Sequence, residues 1–248
     1  GSVVELSAFP GKPTVVNLTQ HAYFNLAGDG NGDVLGHEFT IYAAGYTPVN
    51  KQLIRTGKIE PVTDTPFDFR NKVKLADRVN VDNEQIKFGK GIDHNFVLKK
   101  KDPKALTLAA RVSEPTTRRV MEVHTTEPGV QFYTGNFLDD TLAAKAGKPY
   151  AKHSGFCLET QHFPDSPSQP EFPSPVLRPG EEYNSRTVYT FSVRCASSRR
   201  AQRNLFTSLH SDRRGLPRRF FLTRHSLTRP RRALFYPSQF TGETHLMR

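Results

Sequence analysis

The sequence predicts an all-β protein over its first 193 residues, an antiparallel sandwich or barrel. Short apolar or alternating runs recur there, separated by clusters of Gly, Pro, Asn and Asp. No stretch carries a sustained 3.6-residue period with caps, so helices are expected to be few and short. Strands at regular spacing without intervening helical patterns argue against βαβ units. The expected strands cover residues 14–24, 38–43, 92–98, 106–113, 119–125, 130–134, 155–161 and 186–193, and residues 141–145 form at most one helical turn.

The first run, residues 14–24, alternates two sets of side chains. Read as a strand, it puts Val15, Asn17, Thr19, His21 and Tyr23 on one face and Val16, Leu18, Gln20, Ala22 and Phe24 on the other. The first face combines polar groups, an imidazole and an aromatic ring, which suits a polyhydroxylated ligand or an ordinary solvent-facing sheet. Asn17-Leu18-Thr19 matches a glycosylation sequon but lies in mid-strand, a poor acceptor position. Gly28, Gly30 and Gly32 lack the spacing and the following helix of a dinucleotide site and read as a mobile loop.

Gly91-Ile92-Asp93-His94-Asn95-Phe96 offers Asp93 either as an acceptor for ligand hydroxyls or as a turn residue. Glu127-Pro128-Gly129 is turn chemistry, and the run after it places Gln131 and Tyr133 on one strand face; a carboxamide both donates and accepts, as sugar hydroxyls require. In Gly155-Phe156-Cys157-Leu158-Glu159-Thr160-Gln161, Glu159 shares a face with Cys157 and Gln161 inside an apolar strand. Loss of water there raises its pKa toward neutrality, which fits a general base or a carboxylate paired with Lys or Arg. Cys157 has no obvious base partner and reads as a buried structural thiol.

The chain has 248 residues and a formal charge of +11, with an apolar fraction of 36% that suffices for a core. All of that charge falls in residues 194–248, which hold thirteen Arg, no Lys and only Asp212 and Glu243 as acids, so residues 1–193 are neutral. Two Cys make no disulfide framework, and no Cys/His cluster has zinc-ligand spacing. No apolar run approaches the roughly 18 residues of a membrane span. The N-terminus carries no signal-peptide pattern. That absence does not locate a chain whose opening part is expected to be missing; a cytoplasmic location is the expectation.

In order along the chain, several of these runs resemble the aldose 1-epimerase (galactose mutarotase) family. They are Asn17-Leu18-Thr19-Gln20-His21-Ala22-Tyr23-Phe24-Asn25-Leu26-Ala27-Gly28, Gly91-Ile92-Asp93-His94-Asn95-Phe96, the run from Pro128 to Asn136, and Cys157-Leu158-Glu159-Thr160-Gln161. Phe163-Pro164-Asp165, Pro170-x-Phe172-Pro173 and Leu177-Arg178-Pro179-Gly180-Glu181 also fit. The resemblance implies a large antiparallel β-sandwich with the sugar on its concave face. It implies Glu159 as the base that takes the anomeric hydroxyl proton and His21 as the acid that protonates the ring oxygen. Asp93 and Gln131 would hold sugar hydroxyls. No metal, nucleotide or redox cofactor is implied, and the partner is a free monosaccharide such as galactose or glucose.

Two departures accompany the resemblance. The family's Asn-Arg pair and His-Gly-Gly-type segment have no counterpart before His21, so opening strands are expected to be missing, with unpaired edges, an incomplete sugar site and impaired activity. Residues 194–248 do not resemble the family. With four Arg-Arg doublets and no core periodicity, they read as a disordered or artefactual tail rather than a targeting or nucleic-acid-binding extension. A non-catalytic carbohydrate-binding sandwich and a hexose-6-phosphate epimerase are the alternative functions.

Overall fold

The structure, a computed structural model, describes residues 1–142 and 147–194. In chain order its strands are β1 (Ser2–Ala8), β2 (Thr14–Val15), β3 (Glu38–Ile41), β4 (Ala43–Thr47), β5 (Glu60–Pro61), β6 (Val73–Lys74), β7 (Asp93–Leu98), β8 (Thr107–Ser113), β9 (Arg119–Thr125), β10 (Gly129–Tyr133), β11 (Cys157–Gln161), β12 (Val176–Leu177) and β13 (Tyr183–Val193). Two short helices, α1 (Ala76–Val79) and α2 (Glu84–Gly89), lie between β6 and β7. The all-β expectation holds, and among the described residues no helix is long and apolar enough to cross a membrane.

Six strands form one antiparallel sheet in the order β1-β13-β9-β8-β3-β6, and five form a second in the order β11-β10-β7-β4-β5. Period-2 alternation explains why the two sheets stack. Phe39 of β3 points inward and meets Phe132 of β10 with ring centroids 4.7 Å apart, while Phe156, just before β11, packs edge-on against Phe39 at 5.0 Å. Ile41, Val112, Met121 and Val123 from one sheet and Phe96, Val130 and Leu158 from the other complete this fully buried layer. The chain changes sheet at Tyr42, whose amide bonds Ala109 and whose carbonyl accepts from Lys99. The single strand expected over residues 38–43 is therefore two strands in different sheets.

The largest correction concerns residues 14–24. Only Thr14 and Val15 join a ladder, pairing with β12, and Phe24 makes an isolated bridge to Phe156. Residues 16–23 run outside the sheets because their polar groups bond loops and hydroxyls instead of a neighbouring strand. The Val16 amide donates to Pro175, Asn17 exchanges two bonds with the His162 backbone, and Gln20 accepts from the Tyr189 hydroxyl. Nor was β1 legible: its residues lie along an edge, paired with β13 from Ser2↔Tyr189 to Ala8↔Tyr183, and alternate only between exposed and half-buried. The Gly28–Gly32 segment is a loop of turns, as expected. The tail after residue 194 and most of the turn expected at 141–145 lie outside the described residues.

Phe132 stands between the sheets with no exposed surface and packs on Phe39, Phe69 and Phe96. Phe132→Ala is expected to lower unfolding free energy by about 3–5 kcal/mol, measured as a fall in the urea midpoint at unchanged slope.

Candidate active site

The five-stranded sheet carries a polar row on the face opposite the aromatic core. Register aligns Thr47 of β4 with Asn95 of β7, Asn95 with Gln131 of β10, and Gln131 with Glu159 of β11. The next row aligns Asp93, Tyr133 and Cys157. The alternation that sends Val130, Phe132 and Leu158 into the core thus brings Asp93, Gln131 and Glu159 together, though they are 66 residues apart in sequence at the extremes.

Two glycines permit this arrangement by close approach. A Cβ on Gly91, at φ 146°, would lie 2.2 Å from Asn136 Oδ1, and Asn136 Nδ2 holds the carbonyls of Gly89 and Ile92 at 2.8 Å each. Thr134 adds reciprocal bonds to the Ile92 amide and carbonyl, so the chain enters β7 with Asp93 fixed in direction. A Cβ on Gly129 would meet Asn95 Oδ1 at 2.5 Å and the Phe163 ring at 2.9 Å. That side of the polar row is therefore closed by Phe163, itself packed edge-on to Phe172 at 5.3 Å.

His21 arrives from outside the sheet. Its segment is pinned on one side by Asn17 and on the other by two main-chain bonds between Phe24 and Phe156. The ring lies against Tyr23 and Tyr133, and Nε2 stands 3.4 Å from Glu159 Oε1. The His21 side chain is 42% exposed and that of Glu159 only 11%, so the imidazole faces solvent while the carboxylate sits beneath it. Nδ1 lies 3.5 Å from Cys157 Sγ, a neighbour for the thiol that the sequence did not reveal. Burial, with Glu159 and Asp93 nearby, pushes the Cys157 thiol far up, which keeps it protonated and inert.

A second chain of bonds runs along the row. Gln131 Nε2 donates to Asp93 Oδ1 at 2.7 Å, and Arg55 Nη2 donates to Gln131 Oε1 at 2.8 Å. Arg55 is buried and follows β4 in a loop whose main chain is gripped at Val49 by Gln85 of α2. Sequence reading missed Arg55, because Leu53-Ile54-Arg55-Thr56-Gly57 has neither alternation nor a motif. It also missed Asn95 and Thr47, whose side-chain polar atoms are buried without hydrogen-bond partners.

Desolvation dominates the electrostatics. The Glu159 carboxyl is pushed up to about 8: burial is the main cause, the nearby Asp93 adds to it, and Arg55 opposes both. Asp93 is likewise raised by burial, against the Gln131 hydrogen bond and the charges of Arg55 and His21. His21, Cys157 and Glu159 each offer a ligand atom within 4.8 Å of the others, but burial favours the protonated thiol and carboxyl, which opposes metal ligation. All four residues singled out from the sequence therefore converge: His21, Asp93, Gln131 and Glu159. A hollow of about 460 Å³ is lined by Tyr23, Asn25, Asp29 and Leu138 among others; Glu159 and Asp93 do not line it.

Comparison with known proteins identifies the family. The family model described as Aldose 1-epimerase matches residues 3–190. Galactose mutarotase from Rattus norvegicus is 52% identical over 191 residues, covering 77% of this chain and 54% of that protein. Aldose 1-epimerase from Escherichia coli is 43% identical over 182 residues, covering 73% of this chain and 51% of that one. The crystal structure of an aldose epimerase homologue from C. elegans superposes with a TM-score of 0.68 at 30% identity, covering 77% of this chain and 55% of that one. The chain spans about half the length of the curated relatives it matches.

The raised Glu159 carboxyl has a consequence for stability. Its folded pKa of about 8 exceeds the ordinary value of 4.5, so the unfolded chain loses this proton first as pH rises. Stability is expected to fall between about pH 4.5 and 8 and then level off. Glu159→Gln should remove this fall and be more stable than the parent at pH 9 by a few kcal/mol, measured by urea unfolding across the pH range.

Proposed function

The chain belongs to the aldose 1-epimerase family, and from that membership we propose that it interconverts the α and β anomers of free hexoses such as galactose and glucose. The observation that carries this reading is the 3.4 Å approach of His21 Nε2 to Glu159 Oε1 on a row that also presents Asp93 and Gln131. The catalytic domain in this reading is residues 1–193, and residues 194–248 lie outside it.

The chemistry asks for two proton transfers at oxygens bonded to the same carbon. Glu159, as carboxylate, takes the proton from the hydroxyl on O1; the O–H electron pair forms the C1=O1 bond as C1–O5 breaks. His21, as imidazolium, gives its proton to O5. Rotation about C1–C2 turns the other carbonyl face inward, and the reverse transfers close the ring. A base and an acid this close reach both oxygens of one sugar without moving. A carboxyl pushed up to about 8 is a stronger base than an ordinary one and still ionises near neutrality, the range in which proton transfer is most effective.

Asp93 and Gln131 orient the ring through hydroxyls, since a charged acceptor bonded to a carboxamide presents both acceptor and donor capacity. The partner is the free monosaccharide. The reaction as written requires no metal, nucleotide, membrane or nucleic acid, and we place the protein in the cytoplasm.

Polarimetry of freshly dissolved α-D-glucose tests the reading. The 248-residue chain is expected to accelerate the approach to anomeric equilibrium, but less than a full-length relative does, and Glu159→Gln to lose about 10²–10⁴-fold of its kcat. Sugar binding without acceleration would instead make the sandwich a carbohydrate-binding module. An undiminished rate in Glu159→Gln would remove the base assignment.

A further inference from the structure

Arg55 is the only Lys or Arg that is buried among the described residues. It makes none of the ion pairs found among them. Its bonds go to Gln131 Oε1 at 2.8 Å and to the Leu53 carbonyl at 3.3 Å, and Nε has no partner. A buried guanidinium without a direct counter-ion is costly, and a neutral side chain would fill the same space. What surrounds it is the site: Asp93 and Glu159 are the acidic groups whose charges act on it.

We propose that Arg55 is a positioning residue of this site, orienting the Gln131 carboxamide and supplying the buried positive charge that faces both Asp93 and Glu159. This deepens the mutarotase reading and rests on it. Arginine only donates, so the guanidinium admits the carboxamide in a single orientation, with Oε1 toward Arg55 and Nε2 toward Asp93. Without Arg55 only the bond to Asp93 would hold the amide in that orientation, and its oxygen would be left without the Arg55 donor.

The charge acts on the base as well. The titratable and charged groups around Glu159 are His21 from the 16–23 segment, Asp93 of β7, Tyr133 of β10, Cys157 on its own strand, Tyr23, Tyr189 of β13 and Arg55. Asp93 and burial push the carboxyl up, while Arg55 holds it down. In this arrangement Arg55 keeps enough Glu159 ionised at neutral pH for the carboxylate to serve as base.

The test compares the 248-residue chain with Arg55→Met, Arg55→Gln and Arg55→Lys. The Glu159 carboxyl is followed by ¹³C NMR titration without sugar, and kcat/KM for glucose is followed against pH by polarimetry. Arg55→Met is expected to move the Glu159 midpoint up by about one unit and the acid limb of kcat/KM with it, lowering the rate at pH 7 about tenfold. Arg55→Gln, which keeps amide donors and loses the charge, should show the same shift and carries the test if the Met variant does not fold. Arg55→Lys should restore the midpoint but raise KM severalfold, because an ammonium has no planar fork to hold the carboxamide.

A folded Met or Gln variant with the parent midpoint and the parent pH profile would overturn the proposal, even if its thermal stability fell. The two readings fail separately. A parent chain without mutarotase activity sinks the enzymatic reading while the NMR titration still reports on Arg55. An active parent whose midpoint ignores Arg55 sinks this inference alone.

Discussion

The antiparallel register of β10 against β7 and β11 is the constraint on which the rest depends. Gln131 is aligned with Asn95 on one side and Glu159 on the other, and Tyr133 with Asp93 and Cys157. A slip of one residue would turn Glu159 and Gln131 into the aromatic layer and expose Phe132 and Leu158 on the polar face. Burying Phe132, Val130 and Leu158 therefore specifies the site as firmly as it specifies the core. The same apolar interactions that stabilise the sandwich hold the polar row in place.

Desolvation follows from that placement. The polar face of the five-stranded sheet is covered by Phe163 and by the segment bearing His21, so its carboxylates lose water. Two carboxyls are raised as a result, and one guanidinium from a neighbouring loop opposes the rise. The surrounding structure keeps its other ionisable groups quiet. His94, behind Asp93, is driven down to about 3 by burial and stays neutral while it contacts Gln85. Glu127 is held below the usual carboxylate range by His162 at 2.8 Å and by hydroxyl donors including Tyr183, despite its burial. The sequence showed Glu127 only as part of a turn; its role in tying β9, the His162 loop and β13 together is a product of the fold.

Legibility differed between elements for physical reasons. Strands with one apolar face turned into the core, such as β8, β9 and β10, announced themselves by alternation, and their bounds lie within a residue of expectation. Residues 14–24 alternate as well, yet most of them form no ladder, because Asn17 and Gln20 bond a loop and a tyrosine hydroxyl instead. Periodicity reports side-chain direction, and an extended segment crossing a sheet end has the same periodicity as a strand. Edge pieces such as β1, β5 and β6 bury little and left no signal.

The sequence by itself determined the β class, the loop character of Gly28–Gly32, and the chemical identity of His21, Asp93, Gln131 and Glu159 as residues worth attention. Each of those inferences rests on neighbours along the chain, where a period of two and a run of turn residues are visible. The tertiary structure alone decided that His21 meets Glu159 from outside the sheet, and that Arg55 lies buried against Gln131. Those two facts depend on where loops return in space, which no local pattern encodes. Their energies arise from desolvation, and desolvation exists only once the sheets have closed.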